Sequence, residues 1–106
     1  MQIVGPSAYI SEIATDLEQA GISRPPIKKG LVGVDILSIA LGATIPIIGH
    51  VLVEYLRRNN GQRTITVDID REGEHLHIEV SSPKKSEIIE LLKDAKRITI
   101  HGDKKG

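Results

Sequence analysis

The sequence contains no cysteine, no phenylalanine and no tryptophan among its 106 residues. Without cysteine, disulfides, thiolate nucleophiles and cysteine-bound metals are excluded. Without phenylalanine and tryptophan, Tyr9 and Tyr55 are the only large aromatic side chains, so isoleucine, leucine and valine must fill the core. Stacking of nucleic-acid bases on aromatic rings is also poorly provided for.

The chain also has no excess of either charge, since fourteen basic residues balance fourteen acidic ones. A balanced chain has no global field to attract nucleic acid, and we expect no nucleic-acid partner. Its N-terminus lacks the basic and apolar regions of a signal peptide, which favours a cytosolic location. The length is that of one domain, and we predict a single domain over residues 1–106 with a polar tail at 102–106.

One apolar segment, Leu31–Leu56, stands out from the polar remainder. Its only carboxylate or basic side chains are those of Asp35, His50 and Glu54. A stretch this long with few charges is typical of a membrane span, but also of a core helix pair or an oligomer seam. Gly42 and Pro46 near its middle predict either one kinked helix or a helical hairpin.

The patterns on either side of this segment predict an α+β fold. A short strand precedes an amphipathic helix that begins near Ser7 and ends at Gly21. A hairpin, a helix after Ser82-Pro83 and a last strand, Arg97–His101, follow the segment. This order is the ferredoxin-like βαββαβ pattern, interrupted by residues 31–56. A single membrane crossing there would separate the strands, so we favour a bent or packed helical pair with the sheet intact.

The predicted hairpin places polar residues on one face. A two-residue Glu72-Gly73 turn sets three pairs opposite each other: Asp70 with His75, Asp68 with His77, and Thr66 with Glu79. Two histidines and a carboxylate at close range could hold a metal. Because they stand on a flat sheet face, we interpret them as a solvated surface with cross-strand ion pairs and predict no metal or other cofactor.

The apolar segment supplies the candidate contact residues. Asp35, Ser38, Gly42 and Gly49 fall close to one helical face, and small residues at such spacing allow helices to pack within the chain or between copies. Asp35, His50 and Glu54 would face a pore or a partner helix. Alternatively, Asp35 and Glu54 reach water near the segment ends, and His50 pairs with Glu54 one turn away.

No motif of a known catalytic chemistry is present. The sequence has no GxGxxG, P-loop, nucleophile elbow or HExxH pattern, and we predict a protein that is not an enzyme.

Several phrases together resemble a known bacterial family. They are VDILSIALGA from Val34, VEYLRR from Val53, TITVDIDREG from Thr64 and EIIELLK from Glu87. Over residues 2–96 they are similar to the effector-associated constant component family of bacterial conflict systems. The chain differs from the family in two ways. Its first helix lacks the typical tryptophan-containing phrase, and it has a further strand, Arg97–His101, after the last helix.

The resemblance implies a non-enzymatic partner of variable effectors, such as caspase-like or trypsin-like proteases, in defence against invaders. We therefore predict an adaptor or scaffold in the bacterial cytoplasm that self-associates or docks on the inner membrane through residues 31–56 and recruits a protein effector. One alternative is a pore built from that segment. Another is a soluble oligomeric ferredoxin-like binding module.

Overall fold

The computed structural model describes residues 1–40, 42–58 and 62–102, and it confirms the α+β class. Within these residues, six strands form one sheet, accompanied by three helices. The strands are β1 (Gln2–Pro6), β2 (Ile27–Lys29), β3 (Val34–Ser38), β4 (Thr64–Arg71), β5 (Glu74–Val80) and β6 (Ala95–His101). The helices are α1 (Ser7–Gln19), α2 (Ile45–Arg57) and α3 (Lys85–Leu92).

The strands lie in the order β2-β3-β1-β6-β4-β5. Strand β1 pairs in parallel with β6, while every other neighbouring pair is antiparallel. The predicted ferredoxin-like arrangement is not confirmed. Two unpredicted strands, β2 and β3, extend the sheet beyond β1, and the β4–β5 hairpin forms the opposite edge.

The apolar segment is not one helix or a helical hairpin. Its first part contains β3, which pairs with β1 from Val34 to Ser38, and only Ile45–Arg57 is helical. Pro46 lies in the first turn of α2, where a missing N–H costs nothing, so it begins a helix instead of kinking one. Within residues 1–40, 42–58 and 62–102, no helix combines the length and apolar character that crossing a bilayer requires.

The core lies between one face of the sheet and the three helices. Alternate residues of the central strands point into it, and α2 contacts both α1 and α3. Because successive side chains of a strand point to opposite faces of the sheet, the other residues lie on the face without helices, and most of them are polar. The buried sheet residues include Ile3, Leu37, Ile65, Val67, Ile98 and Ile100, and the buried α2 residues include Ile48, Leu52, Tyr55 and Leu56.

The local predictions on either side of the apolar segment are confirmed, except for the start of the last helix. Helix α1 begins at Ser7, and Gly21 beyond its end has the positive φ of 102° expected of a glycine stop. The turn residues Glu72 and Gly73 both have positive φ, at 54° and 78°, as a tight hairpin turn requires. Helix α3 begins at Lys85, shortly after the predicted start. Most of the predicted polar tail, residues 103–106, lies outside the described residues.

The hairpin register is also confirmed. Asp70 lies opposite His75, Asp68 opposite His77, and Thr66 opposite Glu79. The alternation of apolar and polar residues in both strands fixes this register, because a slip by one residue would expose the whole apolar face.

The close approach of β1 to β6 predicts a sharp penalty for a side chain at Gly5. A Cβ there would lie 2.8 Å from the Cβ of Ile100 and 3.0 Å from its carbonyl oxygen. Neither atom can move without the strand, so we expect Gly5→Ala to lower the free energy of unfolding by about 1–3 kcal/mol. Urea denaturation would measure this.

Gly49→Ala is the matched control. Its Cβ would meet Ile89 Cγ1 at 2.8 Å, but Ile89 is a half-buried side chain that can change rotamer. Alanine also favours the helix by about 0.5–1 kcal/mol over glycine. We expect Gly49→Ala to lower the free energy of unfolding by less than Gly5→Ala does. An equal or larger decrease for Gly49→Ala would contradict the tight packing inferred at Gly5.

Candidate functional site

The four small residues predicted to share a helical face lie on three different parts of the fold. Asp35 and Ser38 belong to β3, Gly42 lies in the following loop, and Gly49 belongs to α2. Gly49 is buried against Ile89 of α3, while Ser38 and Gly42 are exposed. The predicted helix-packing face is therefore wrong, because helical spacing does not apply to residues in a strand and a loop.

Asp35 is a buried carboxylate on the helix-covered face of the sheet. Its Oδ2 lies 3.3 Å from Nζ of Lys29 on the neighbouring strand, and its Oδ1 accepts no hydrogen bond from the described residues. This lysine is largely exposed. The pair therefore sits at the border of the core, where the lysine offsets the cost of burying the carboxylate.

The other two members of this set, His50 and Glu54, lie on the same helix, α2. His50 and Glu54 line a groove between α1 and α2, and Glu54 Oε1 lies 3.5 Å from Arg57 Nη1. Asp35 is not part of this groove. The structure brings His50 and Glu54 together but does not add Asp35 to them, so the predicted three-residue polar lining is not formed.

A cluster of ion pairs joins α1 to the end of α2 and the start of β4. Arg58 contacts Glu12 and lies 2.8 Å from Asp16 Oδ2, and Arg63 Nη1 lies 2.7 Å from Glu12 Oε2. Arg63 is only 6% exposed. Its guanidinium also lies 4.6 Å from the centre of the Tyr55 ring, a distance at which cation–π attraction operates. The cluster holds three elements together.

This cluster changes the titration of its members. Burial of Glu12 alone would raise its pKa, but the hydrogen bonds and charges of Arg63 and Arg58 outweigh burial, so the pKa lies below its usual value. The hydrogen bond to Asp16 raises the pKa of Arg58 further. Sequence reasoning missed the cluster because its members are far apart along the chain.

The open face of the sheet carries a second polar cluster near the β4–β5 edge. His75 Nδ1 lies 2.5 Å from Asp70 Oδ1, and His77 Nδ1 contacts Asp68 Oδ1. The cross-strand pairs predicted from the sequence are thus confirmed. The hydrogen bond from Lys96, 2.7 Å away, and that from His75 lower the pKa of Asp70.

Three members of this cluster could hold a metal ion. One donor atom each from Asp68, His75 and His77 lies within 4.8 Å of the other two. Within the described residues this is the one group of histidine and carboxylate side chains with such spacing. The prediction that the face holds no metal stays a prediction.

An exposed apolar tip lies at the other edge of the sheet, in the turn between β2 and β3. We call Leu31 and Val32 the hairpin tip; they are 85% and 104% exposed. Backbone hydrogen bonds close the turn, from Gly30 N to Val34 O and from Val34 N to Leu31 O, both 2.9 Å. Sequence reasoning missed this tip because it assigned both residues to a buried or membrane helix.

The hairpin tip is also tied to the rest of the fold. Ser7 N at the start of α1 donates a 2.9 Å hydrogen bond to Gly33 O. Lys28 and Lys29 of β2 are exposed beside it. The turn therefore presents two exposed apolar side chains beside a basic flank.

No protein-family model, curated protein or solved structure matches the chain.

The depressed pKa of Glu12 predicts how stability changes in acid. A carboxyl with a lowered folded-state pKa stabilises the fold above its unfolded pKa of about 4.3, and this contribution is lost as the pH falls through the folded value. We expect Glu12→Gln to lower the free energy of unfolding by about 1–3 kcal/mol at pH 7, because it removes the negative charge and one of the two oxygens that accept hydrogen bonds from Arg58 and Arg63. The difference in the free energy of unfolding between Glu12→Gln and the wild type should become smaller below pH 4.

Glu18→Gln on the same helix is the control, since Glu18 is exposed and lies 4.0 Å from Arg24. Urea denaturation between pH 3 and pH 7 should show little change for this variant. A Glu12→Gln penalty that stays constant over the whole pH range would contradict the account.

Proposed function

We propose that the chain is a non-enzymatic adaptor of a bacterial conflict system, and that it recruits a protein effector through the hairpin tip. The link to an effector rests on the resemblance of its sequence to the effector-associated constant component family. The observation that carries the proposal is the exposure of Leu31 and Val32 side by side on a fixed turn.

The exposure of the hairpin tip is not explained by the fold. The apolar core is filled by other residues, and both side chains point to solvent. Exposing two large aliphatic side chains forgoes about 1.5–3 kcal/mol each of burial energy. Burial against a partner would recover part of this energy, which gives a reason for their placement.

The surroundings of the hairpin tip suit a protein surface with acidic groups. Lys28 and Lys29 supply positive charge next to the apolar pair, and Lys29 is partly neutralised by Asp35. Interfaces commonly combine an apolar centre with a charged rim, and the charges select the partner and its orientation. We therefore expect the effector to present an apolar pocket with acidic residues at its border.

Binding to the protease-like effector that the resemblance implies in a neighbouring gene tests the proposal. Isothermal titration calorimetry with the wild-type chain should give a defined complex. The double variant Leu31→Ser, Val32→Ser should bind at least tenfold more weakly, because burying a large aliphatic side chain contributes about 1.5–3 kcal/mol and a tenfold change in affinity corresponds to about 1.4 kcal/mol. Its own unfolding free energy should hardly change, since both side chains are exposed.

Leu76→Ser is the matched control. Among the described residues, Leu76 is the other exposed large aliphatic residue near an edge of the sheet, at 39% exposure, and it lies on β5 at the opposite side. This variant should bind the effector as the wild type does. Wild-type affinity of the double variant would contradict the role of the hairpin tip.

Two further outcomes would contradict the adaptor proposal itself. One is the absence of any complex between the wild-type chain and the effector. The other is that replacing the hairpin tip leaves effector binding unchanged but abolishes self-association or vesicle binding. Light scattering would measure self-association, and sedimentation with liposomes would measure vesicle binding.

A further inference from the structure

We infer that Asp68, His75 and His77 form a binding site for a divalent transition-metal ion of the Zn²⁺ type on the open face of the sheet. The proposal does not depend on the adaptor function, and it replaces the interpretation of this face as metal-free that the sequence favoured. It rests on three side chains that the hairpin brings together and on the carboxylate that orients one of them.

The backbone fixes where the three side chains start. His75 and His77 are two residues apart on β5 and therefore lie on the same face, and Asp68 is the direct partner of His77 on β4. The tight Glu72-Gly73 turn and the paired strands hold this register. The histidine rings lie 4.9 Å apart between centres, at 79° to each other.

The donor atoms are close to the spacing that a metal needs. With bonds of about 2.0–2.2 Å in a tetrahedral site, donor atoms lie roughly 3.4 Å from one another. The three donors lie within 4.8 Å here. Both imidazoles are exposed, with 54% and 65% of their side-chain surfaces accessible, so rotation of the side chains can close the remaining distance without moving the strands.

The ligand set selects the type of ion. Two imidazoles and one carboxylate suit Zn²⁺, Ni²⁺ or Cu²⁺, while Mg²⁺ prefers oxygen ligands. A zinc ion with three protein ligands keeps one position for water. The site would therefore resemble an open zinc site, with the fourth position facing solvent.

Asp70 supplies an orienting contact. His75 Nδ1 lies 2.5 Å from Asp70 Oδ1, so donation from Nδ1 to this carboxylate leaves Nε2 as the ligand atom. A carboxylate behind a metal-binding histidine fixes the ring and increases its basicity. Lys96 in turn holds Asp70 through its other oxygen, at 2.7 Å.

The neighbouring positive charges act against a cation. Lys96 and Arg97 line the same depression as Asp68 and His75. Asp70 neutralises Lys96 through their ion pair, and Arg97 lies opposite Asp68 in the register between β4 and β6. We expect these charges to weaken metal binding, so that the ion remains exchangeable.

Calorimetric titration of the full chain, free of any affinity tag, with Zn²⁺ alone at pH 7.5 tests the inference. We expect one Zn²⁺ per chain and no binding heat with Mg²⁺. The variants His75→Gln and His77→Gln should each weaken Zn²⁺ binding at least tenfold, the lower limit typical even of lost orienting contacts.

His50→Gln is the matched control, because His50 is also an exposed histidine but lies on α2. It should leave Zn²⁺ binding unchanged. The inference is overturned if Zn²⁺ does not bind, if His50→Gln weakens binding as much as His77→Gln, or if Mg²⁺ binds equally well.

A measurement on the wild-type chain tests the inference even if the histidine variants do not fold. Addition of Zn²⁺ should shift the NMR signals of the β4–β5 hairpin, with the largest changes in the His75 and His77 imidazoles. Changes centred on His50 or His101 would overturn the inference.

Discussion

The fold depends on the burial of α2 between the other two helices and the sheet. Seven of its thirteen residues are buried, including Ile48, Leu52 and Leu56, which are fully inaccessible. Because the chain has no phenylalanine or tryptophan, these aliphatic side chains must supply much of the apolar area that drives folding. The high apolar content of residues 45–56 follows from this position at the centre of the core.

The same constraint determines what the surface carries. The three helices of the described residues pack against one face of the sheet, so the other face is exposed to solvent and carries mostly polar side chains. The hairpin tip lies at the β2 edge and the histidine cluster near the β5 edge. Since whole strands separate the two surfaces, variants of one should leave the other intact.

Patterns that are local in the sequence predicted local structure well. The helical period of α1 and the alternation in β4 each correspond to one buried face, and β5 alternates in the same way although only Val80 is fully buried. These elements and the hairpin register therefore followed from the sequence alone. The cross-strand contacts of His75 and His77 followed as well, because the turn fixes which residues meet.

Strand β3 could not be predicted in this way. Val34 and Ile36 are half-buried on one side of β3, and Asp35 and Leu37 are buried on the other. Because both sides carry apolar residues, the strand shows no alternation and its sequence resembles that of an apolar helix. The sheet order depends on pairing between distant strands, such as β1 with β6. The contacts of Arg63 with Glu12 likewise join positions that no local pattern relates.

Hydrogen exchange of the chain, alone and with the proposed effector, tests most directly whether the hairpin tip is the contact surface. In the chain alone, the amides of β3 and α2 should exchange slowly, because both elements are hydrogen-bonded and largely buried. Adding the effector should slow exchange chiefly at residues 30–34, with β5 unaffected. Slowing confined to β5 or to the groove between α1 and α2 would contradict the account.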